Sequence, residues 1–350
     1  MRGCLRHKAR SLAVITAISA RVLARRALGK PLVPEWSSHF EIGNLFWRAQ
    51  FNHAFALGDM AEARAYFDSL VPILDRAPDV GIRASRPGEP PGDWFIPRTV
   101  RGETTLLYLH GGGYSFYAAV TRQFIAMLAD TLGLPIFTPD YRLTPEHPHP
   151  AQIEDALDAY RFLLAQGIDP SRLVVCGDSA GGHLMLMLLV RLRESGLPQP
   201  VAGIGLSPWT DVGRRGASQF GNDRYDLVQG YMTLRFAAWL KGDGGFGDAE
   251  LSPIAQDLRG LAPLYLQAGG REILVDMIRD FAATARTQGA RVRLDVWEHM
   301  THEFQAHGEE LPESREALGR LADAIRWAVA PEGGRSGFPP THRTEVDSLT

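Results

Sequence analysis

The sequence predicts an α/β fold, a mostly parallel β-sheet with helices on both faces and a helical cap above it. Three observations predict this. From about residue 104 to residue 329, short apolar runs alternate with longer amphipathic stretches. Strand–helix–strand units produce that rhythm, and they build parallel sheets covered on both faces. Residues 1–85 instead space their aromatic and aliphatic side chains for the buried faces of helices, with Leu45, Phe46, Phe51 and Phe55, then Tyr66, Phe67 and Leu70. The length of 350 residues suits one large α/β domain with an appended cap.

The elements follow in chain order. Residues 86–92, rich in Pro and Gly, mark a turn out of the N-terminal helical segment. Strands are expected at 106–109, 136–138, 173–176, 201–206, 264–268 and 292–296. Helices are expected near 122–132, 153–165, 179–193, 277–287 and 315–329. The stretch 208–252 breaks the rhythm with glycines and charges around one helix at 232–240, and reads as an excursion above the sheet edge. The expected division is therefore a cap segment at 1–85, a catalytic domain at 86–330 and a disordered polar tail at 331–350.

Composition narrows the function classes. A formal net charge of −3 and a body without a basic stripe argue against nucleic acid as a partner. Cys4 and Cys176 lie far apart, and Cys176 ends an apolar run, so a free buried thiol is expected rather than a disulfide or metal ligand. The first 34 residues carry eight Lys and Arg and no Asp or Glu. Their apolar stretch at 12–20 is far short of the ~20 residues that span a bilayer, so no transmembrane segment is expected. An amphipathic helix packed on the protein is the favoured reading. Cytoplasmic residence is expected, with export or membrane-surface association left open by the basic N-terminus, and homodimerisation is also left open.

Gly177-Asp178-Ser179-Ala180-Gly181 is the one G-x-S-x-G in the chain. The pattern alone is weak, because a serine that merely caps a helix is common. Its setting carries the argument: it follows an apolar strand and opens an apolar helix, as a nucleophile elbow must. A serine on such a turn holds its hydroxyl above the sheet, and flanking glycines remove Cβ clashes. Ser179 is thus the expected nucleophile. His110-Gly111-Gly112-Gly113 follows the strand at 106–109. Such a glycine run can aim backbone N–H groups at an oxyanion, and Gly111, Gly112 and Ala180 are the expected donors.

These two motifs, together with Pro139-Asp140-Tyr141-Arg142-Leu143-Thr144-Pro145-Glu146-His147, resemble the bacterial hormone-sensitive-lipase family of esterases. The resemblance covers roughly residues 30–329. It implies an α/β-hydrolase fold, a helical cap built partly from the N-terminus, no cofactor and no metal, and a preference for short- to medium-chain carboxylic esters. It also makes residues 141–146 a structural loop with Arg142 and Glu146 held in polar contacts.

Triad members in this fold run serine, acid, histidine. His299, His302, His307 and His342 follow the elbow far enough to qualify. His302 is the expected base, because Met300-Thr301-His302-Glu303-Phe304 follows a strand and resembles the family's Gly-Met-x-His-x-Phe loop, with His299 where that family has Gly. The segment 270–276 resembles the family's Asp-Pro-Leu-x-Asp motif, placing Glu272 at the catalytic position and leaving Asp276 as the alternative acid. Two histidines three apart in a loop match no standard zinc site. Asp178 is expected to support the site and His183 to pack in the core. Tyr114, Phe116 and Trp209 are candidate pocket walls.

The expected reaction is a two-step acyl transfer on a small-molecule ester, with activity rising as His302 becomes neutral, about pH 6 to 7. A lactonase, amidase or deacetylase using the same triad is the alternative. A non-catalytic ligand receptor on this fold is disfavoured, because its histidine would be dispensable and His302 is present.

Overall fold

The computed structural model describes residues 5–70, 79–329, 341 and 343–347. Three helices come first: α1 (Leu5–Ala27), α2 (Ser38–Ala56) and α3 (Met60–Asp68). Ser37 caps α2 by accepting from the Phe40 amide at 3.0 Å, and Asp59 caps α3 by accepting from Glu62 at 2.8 Å. One face of α1 packs on α2, where Arg26 donates to Glu41 at 2.6 and 2.9 Å.

The strands are β1 (Val80–Ala84), β2 (Gly92–Pro97), β3 (Thr105–Leu109), β4 (Ile136–Pro139), β5 (Leu173–Asp178), β6 (Ala202–Leu206), β7 (Leu264–Gly269), β8 (Val292–Trp297) and β9 (Thr344–Asp347). They form one sheet in the order β1-β2-β4-β3-β5-β6-β7-β8-β9. The six from β4 to β8 run parallel, and β1, β2 and β9 join the edges antiparallel. Side chains alternate across the sheet, so Leu107, Leu109 and Val175 enter one core while Leu106, Tyr108, Val174 and Cys176 enter the other. Helices α5 (Ala151–Ala165), α6 (Ser179–Glu194) and α10 (Val275–Thr287) cover the first face; α4 (Ala119–Leu132) and α11 (Pro312–Val329) cover the second. Cys176 is a free, buried thiol.

Two expectations need correction. The Pro/Gly-rich stretch 86–92 is the loop of a hairpin, with β1 and β2 on either side of it. The tail contains a strand: Thr344–Asp347 pairs with β8, and Glu345 accepts from Arg279 at 2.6 and 2.7 Å. A polar strand is stable there because an edge needs only one paired side and its charges find partners. Residues 330–340, 342 and 348–350 lie outside the described residues, as do Cys4 and His342.

The excursion carries α7 (Ser218–Gly221), α8 (Gly230–Lys241) and α9 (Asp248–Leu251). It meets the N-terminal helices through Asn44, which donates to the Tyr225 carbonyl at 2.6 Å, and through Phe55, whose ring lies 5.1 Å from Phe236. Among the described residues no helix is long and apolar enough to cross a membrane.

Candidate active site

The turn from β5 into α6 is set by backbone contact. A Cβ on Gly181 would lie 1.9 Å from the Leu109 carbonyl oxygen, and one on Gly177 would lie 2.3 Å from that of Gly181. Strand β3 and helix α6 can approach this closely only through glycine. Ser179, between them, has φ +52, the left-handed region that costs a non-glycine residue energy and that clusters at functional sites. Its hydroxyl opens into a cavity and has no hydrogen-bond partner among the described residues.

The glycine loop after β3 lies beside it. Here the structure corrects one expected donor. The Gly111 amide donates to Asp178 Oδ1 at 2.9 Å, so it is committed inside the protein rather than offered to the cavity. Gly112 and Gly113, with φ +98 and +61, line the cavity together with Ala180. The amides of Gly112 and Gly113 have no acceptor among the described residues.

His302 enters from the loop after β8, and its ring is 2% exposed. Burial lowers its pKa to about 3, well under the ordinary histidine value. This moves the expected activity limb at pH 6 to 7 downward. Its Nδ1 is buried without a partner. Glu272 follows β7 and is fully buried; its Oε2 accepts from Ser207 Oγ at 2.7 Å and from the Gly269 amide at 2.8 Å. Its Oε1 is also buried without a partner. Burial first, then Asp226, push the Glu272 carboxyl up to about 8. No hydrogen bond or ion pair joins Glu272 to His302 as they stand. Asp276 points elsewhere: its Oδ2 accepts from the Ser218 amide at 2.8 Å, and its Oδ1 lies 3.9 Å from Arg279.

Three residues that sequence reasoning missed tie these loops together. Asp226, from the excursion, accepts from the amides of His302 (3.0 Å), Ile273 (2.7 Å) and Leu227 (2.8 Å). It thereby joins the histidine loop to the acid loop. Ser207 donates to Glu272 and accepts from the Glu303 amide at 3.3 Å. Glu303, at φ +53, places Oε1 3.5 Å from His302 Nε2 and hydrogen-bonds Asp178. Burial, and then the charge of Asp178, push the Glu303 carboxyl well up, and burial raises Asp178 as well. Tyr108 OH also donates to Asp178 at 2.5 Å. No motif marks Asp226 or Ser207, because their partners are 76 and 65 positions away.

The cavity is about 410 Å³ and mostly apolar. Its walls include Phe46, Trp47 and Phe51 from α2, Phe67 from α3, Leu227 and Phe236 from the excursion, and Phe116 and Trp209. Tyr114 is not among them: at φ +62 it turns into the core, and its hydroxyl meets His183 Nδ1 at 2.6 Å. His183 is held there by the Leu251 carbonyl at 2.7 Å. Arg142 is clamped by Asp155 and Glu154, and Glu146 pairs with Arg64 of α3 at 2.7 Å. His307 reaches the cavity wall, whereas His299 lies 3.8 Å from Glu35. Among the described residues no group of three or more His, Cys, Asp or Glu could hold a metal ion.

The sequence matches the family described as the α/β-hydrolase fold over residues 106–306. It is 37% identical over 255 residues to an acetyl-hydrolase of Streptomyces hygroscopicus, covering 69% of this chain and 85% of that one. An esterase of Acinetobacter venetianus is 30% identical over 263 residues, covering 74% and 86%. Among solved structures, an esterase from the bacterial hormone-sensitive lipase family superposes with a TM-score of 0.73 at 34% identity, covering 81% of this chain and 97% of that one.

Proposed function

The chain belongs to the α/β-hydrolase fold family, within the bacterial hormone-sensitive-lipase group, and on that premise we propose that it is a serine carboxylesterase. In this reading Ser179 attacks the ester carbonyl. His302 takes the hydroxyl proton and returns it to the leaving alcohol. The amides of Gly112, Gly113 and Ala180 hold the oxyanion, each worth about 3 kcal/mol in the transition state. Water, deprotonated by His302, then cleaves the acyl-enzyme.

The observation that carries the reading is the unpaired Ser179 hydroxyl, held at φ +52 in a cavity it shares with His302 and two uncommitted glycine amides. Strain at a non-glycine residue persists where the surrounding structure over-determines it and function uses it. Glu272 is the proposed acid. Its free oxygen and the free Nδ1 of His302 are both buried, and an unsatisfied buried polar atom costs about 1–3 kcal/mol. The orphans are complementary, since a carboxylate accepts what an imidazole N–H donates. Asp226 and Ser207 hold their loops side by side, and such contacts often tighten only when substrate binds. Asp276, spent on Ser218, is set aside.

The N-terminal helices and the excursion together form the cap, because both contribute cavity walls and pack on each other. Aromatic and aliphatic walls around 410 Å³ suit short- to medium-chain acyl groups. The test is hydrolysis of p-nitrophenyl esters from acetate to decanoate, with native protein and Ser179→Ala compared. Activity that peaks at short to medium chains and vanishes in the variant supports the reading. Equal inertness of both on every ester would overturn it.

A further inference from the structure

Helix α1 has two faces of different kinds. The inner one is seated on the protein: Ser11 and Val22 are buried, Arg26 pairs with Glu41, and His7 and Arg10 lie on Tyr66. The outer one carries Leu5, Ala9, Leu12, Thr16, Ala20, Leu23 and Ala27, all exposed. Their spacing of three and four residues lines them along a single stripe of a 3.6-residue helix. Leu5 is 84% exposed, Leu12 67% and Leu23 56%, and the chain continues into Leu28 at 74%. Large aliphatic side chains in a row on open surface mark an interaction site.

The charge around the stripe says what it meets. Arg6 and Arg21 lie on one flank of it and Lys8 on the other, with Lys30 just past the helix end; all four are exposed, and none has a salt-bridge partner among the described residues. The first 34 residues hold eight Lys and Arg and no Asp or Glu, which leaves 29 basic against 40 acidic residues elsewhere. An apolar centre flanked by unpaired cations is the pattern of a helix lying in a lipid interface. The leucines enter the acyl boundary while the Lys and Arg stems extend to anionic headgroups. A second copy of the helix fits less well, because it would bring like charges together with no acidic residue in either helix to pair them. A polyphosphate backbone would use the cations and leave the leucines in water.

We propose that the outer face of α1 docks the protein on an anionic lipid bilayer, with the helix lying parallel to the surface. The inner face stays on α2, whose Phe46, Trp47 and Phe51 line the catalytic cavity. Docking therefore holds the cavity wall about one helix diameter, ~10 Å, from the lipid.

The experiment is co-sedimentation of the full chain with vesicles of phosphatidylcholine alone, and of phosphatidylcholine mixed with phosphatidylglycerol. The mixed vesicles should bind at least about tenfold more tightly, since each Lys or Arg near such a surface adds roughly a factor of five. Salt should weaken the binding, and Lys8→Glu/Arg21→Glu and Leu12→Glu/Leu23→Glu should each abolish it. All four side chains are exposed, so hydrolysis of soluble p-nitrophenyl butyrate should be unchanged in both variants. Failure of the native chain to bind the mixed vesicles would overturn the proposal, as would equal binding by Leu12→Glu/Leu23→Glu. So would a dimer that this double substitution dissolves without any vesicle binding, since the stripe would then join two copies. Vesicle binding is read without catalysis, so its failure is distinct from failure of the esterase reading.

Discussion

Ser179 and His302 line the same cavity by different means, while Glu272 is buried on the loop tied to that of His302. Ser179 is positioned by main chain: Gly177 and Gly181 let β5, α6 and the Leu109 carbonyl meet at distances that admit no Cβ. His302 and Glu272 stand on two loops that hydrogen bonds join, first through main chain, where the Gly270 and Arg271 amides donate to the Trp297 and Met300 carbonyls at 2.9 and 2.8 Å, and then through buried side chains. Asp226 binds the amides of both loops, and Ser207 bridges Glu272 to Glu303. One side is therefore rigid by exclusion and the other by hydrogen bonding. Changes on the first side should damage the fold, and changes on the second should damage catalysis while the fold survives.

The largest expected effect is at the proposed nucleophile. Ser179→Ala should lower kcat for p-nitrophenyl butyrate by about 10⁶, with unfolding by denaturant unaltered, since alanine keeps the Cβ and with it the strain at φ +52. Glu272→Gln should cost about 10⁴ in kcat, whereas Asp276→Asn should keep its rate within about threefold, a loss of under 1 kcal/mol. A reversal of those two would move the acid to Asp276.

The next two predictions set the sides against each other. Asp226→Ala frees three amides and should lower kcat about 10²-fold through misplacement of His302 and Glu272. Asp226→Asn, which keeps an acceptor, should restore most of that rate. A merely structural role would instead lower stability in step with activity in both variants. Gly181→Ala should destabilise the fold by about 1–3 kcal/mol through overpacking, read as a lower denaturant midpoint. A midpoint unchanged from native would show that β3 and α6 can part without cost.

The smallest effect concerns pH. In the proposed mechanism neutral His302 accepts the proton, and burial lowers its pKa to about 3, below its ordinary value. A lowered pKa keeps the ring neutral to lower pH. Where His302 sets it, the acid limb of kcat/KM should therefore fall below pH 6, whereas a limb near 8 would report ionisation of the buried Glu272 carboxyl, and an exposed histidine would place it between about 6 and 7. A midpoint in that ordinary range would mean that the cavity admits enough water to undo the burial.

The same contrast explains what the sequence made legible. Strands β3 to β8 are buried on both faces, so they read as apolar runs and were expected within a few residues of their observed bounds. Strands β1 and β9 are mixed and half-exposed, with no periodicity to mark them. Glycine-dependent turns were legible because only glycine can make them. Which of three consecutive glycine amides faces the cavity was not, since that depends on Asp178 reaching Gly111 from another strand. Tyr114 was misplaced for a similar reason, because its positive φ and its bond to His183 turn it inward. Asp226 carried no signal at all: a carboxylate that binds backbone amides leaves no pattern in its partners.

The central claim is that Ser179 is the nucleophile, and covalent labelling tests it most directly. Native protein treated with an alkyl fluorophosphonate should take up one label per chain, and peptide mass mapping should place that label on Ser179. His302→Ala should take it up far more slowly. A label on any other side chain, or ester hydrolysis that persists undiminished in fully labelled protein, would contradict the account.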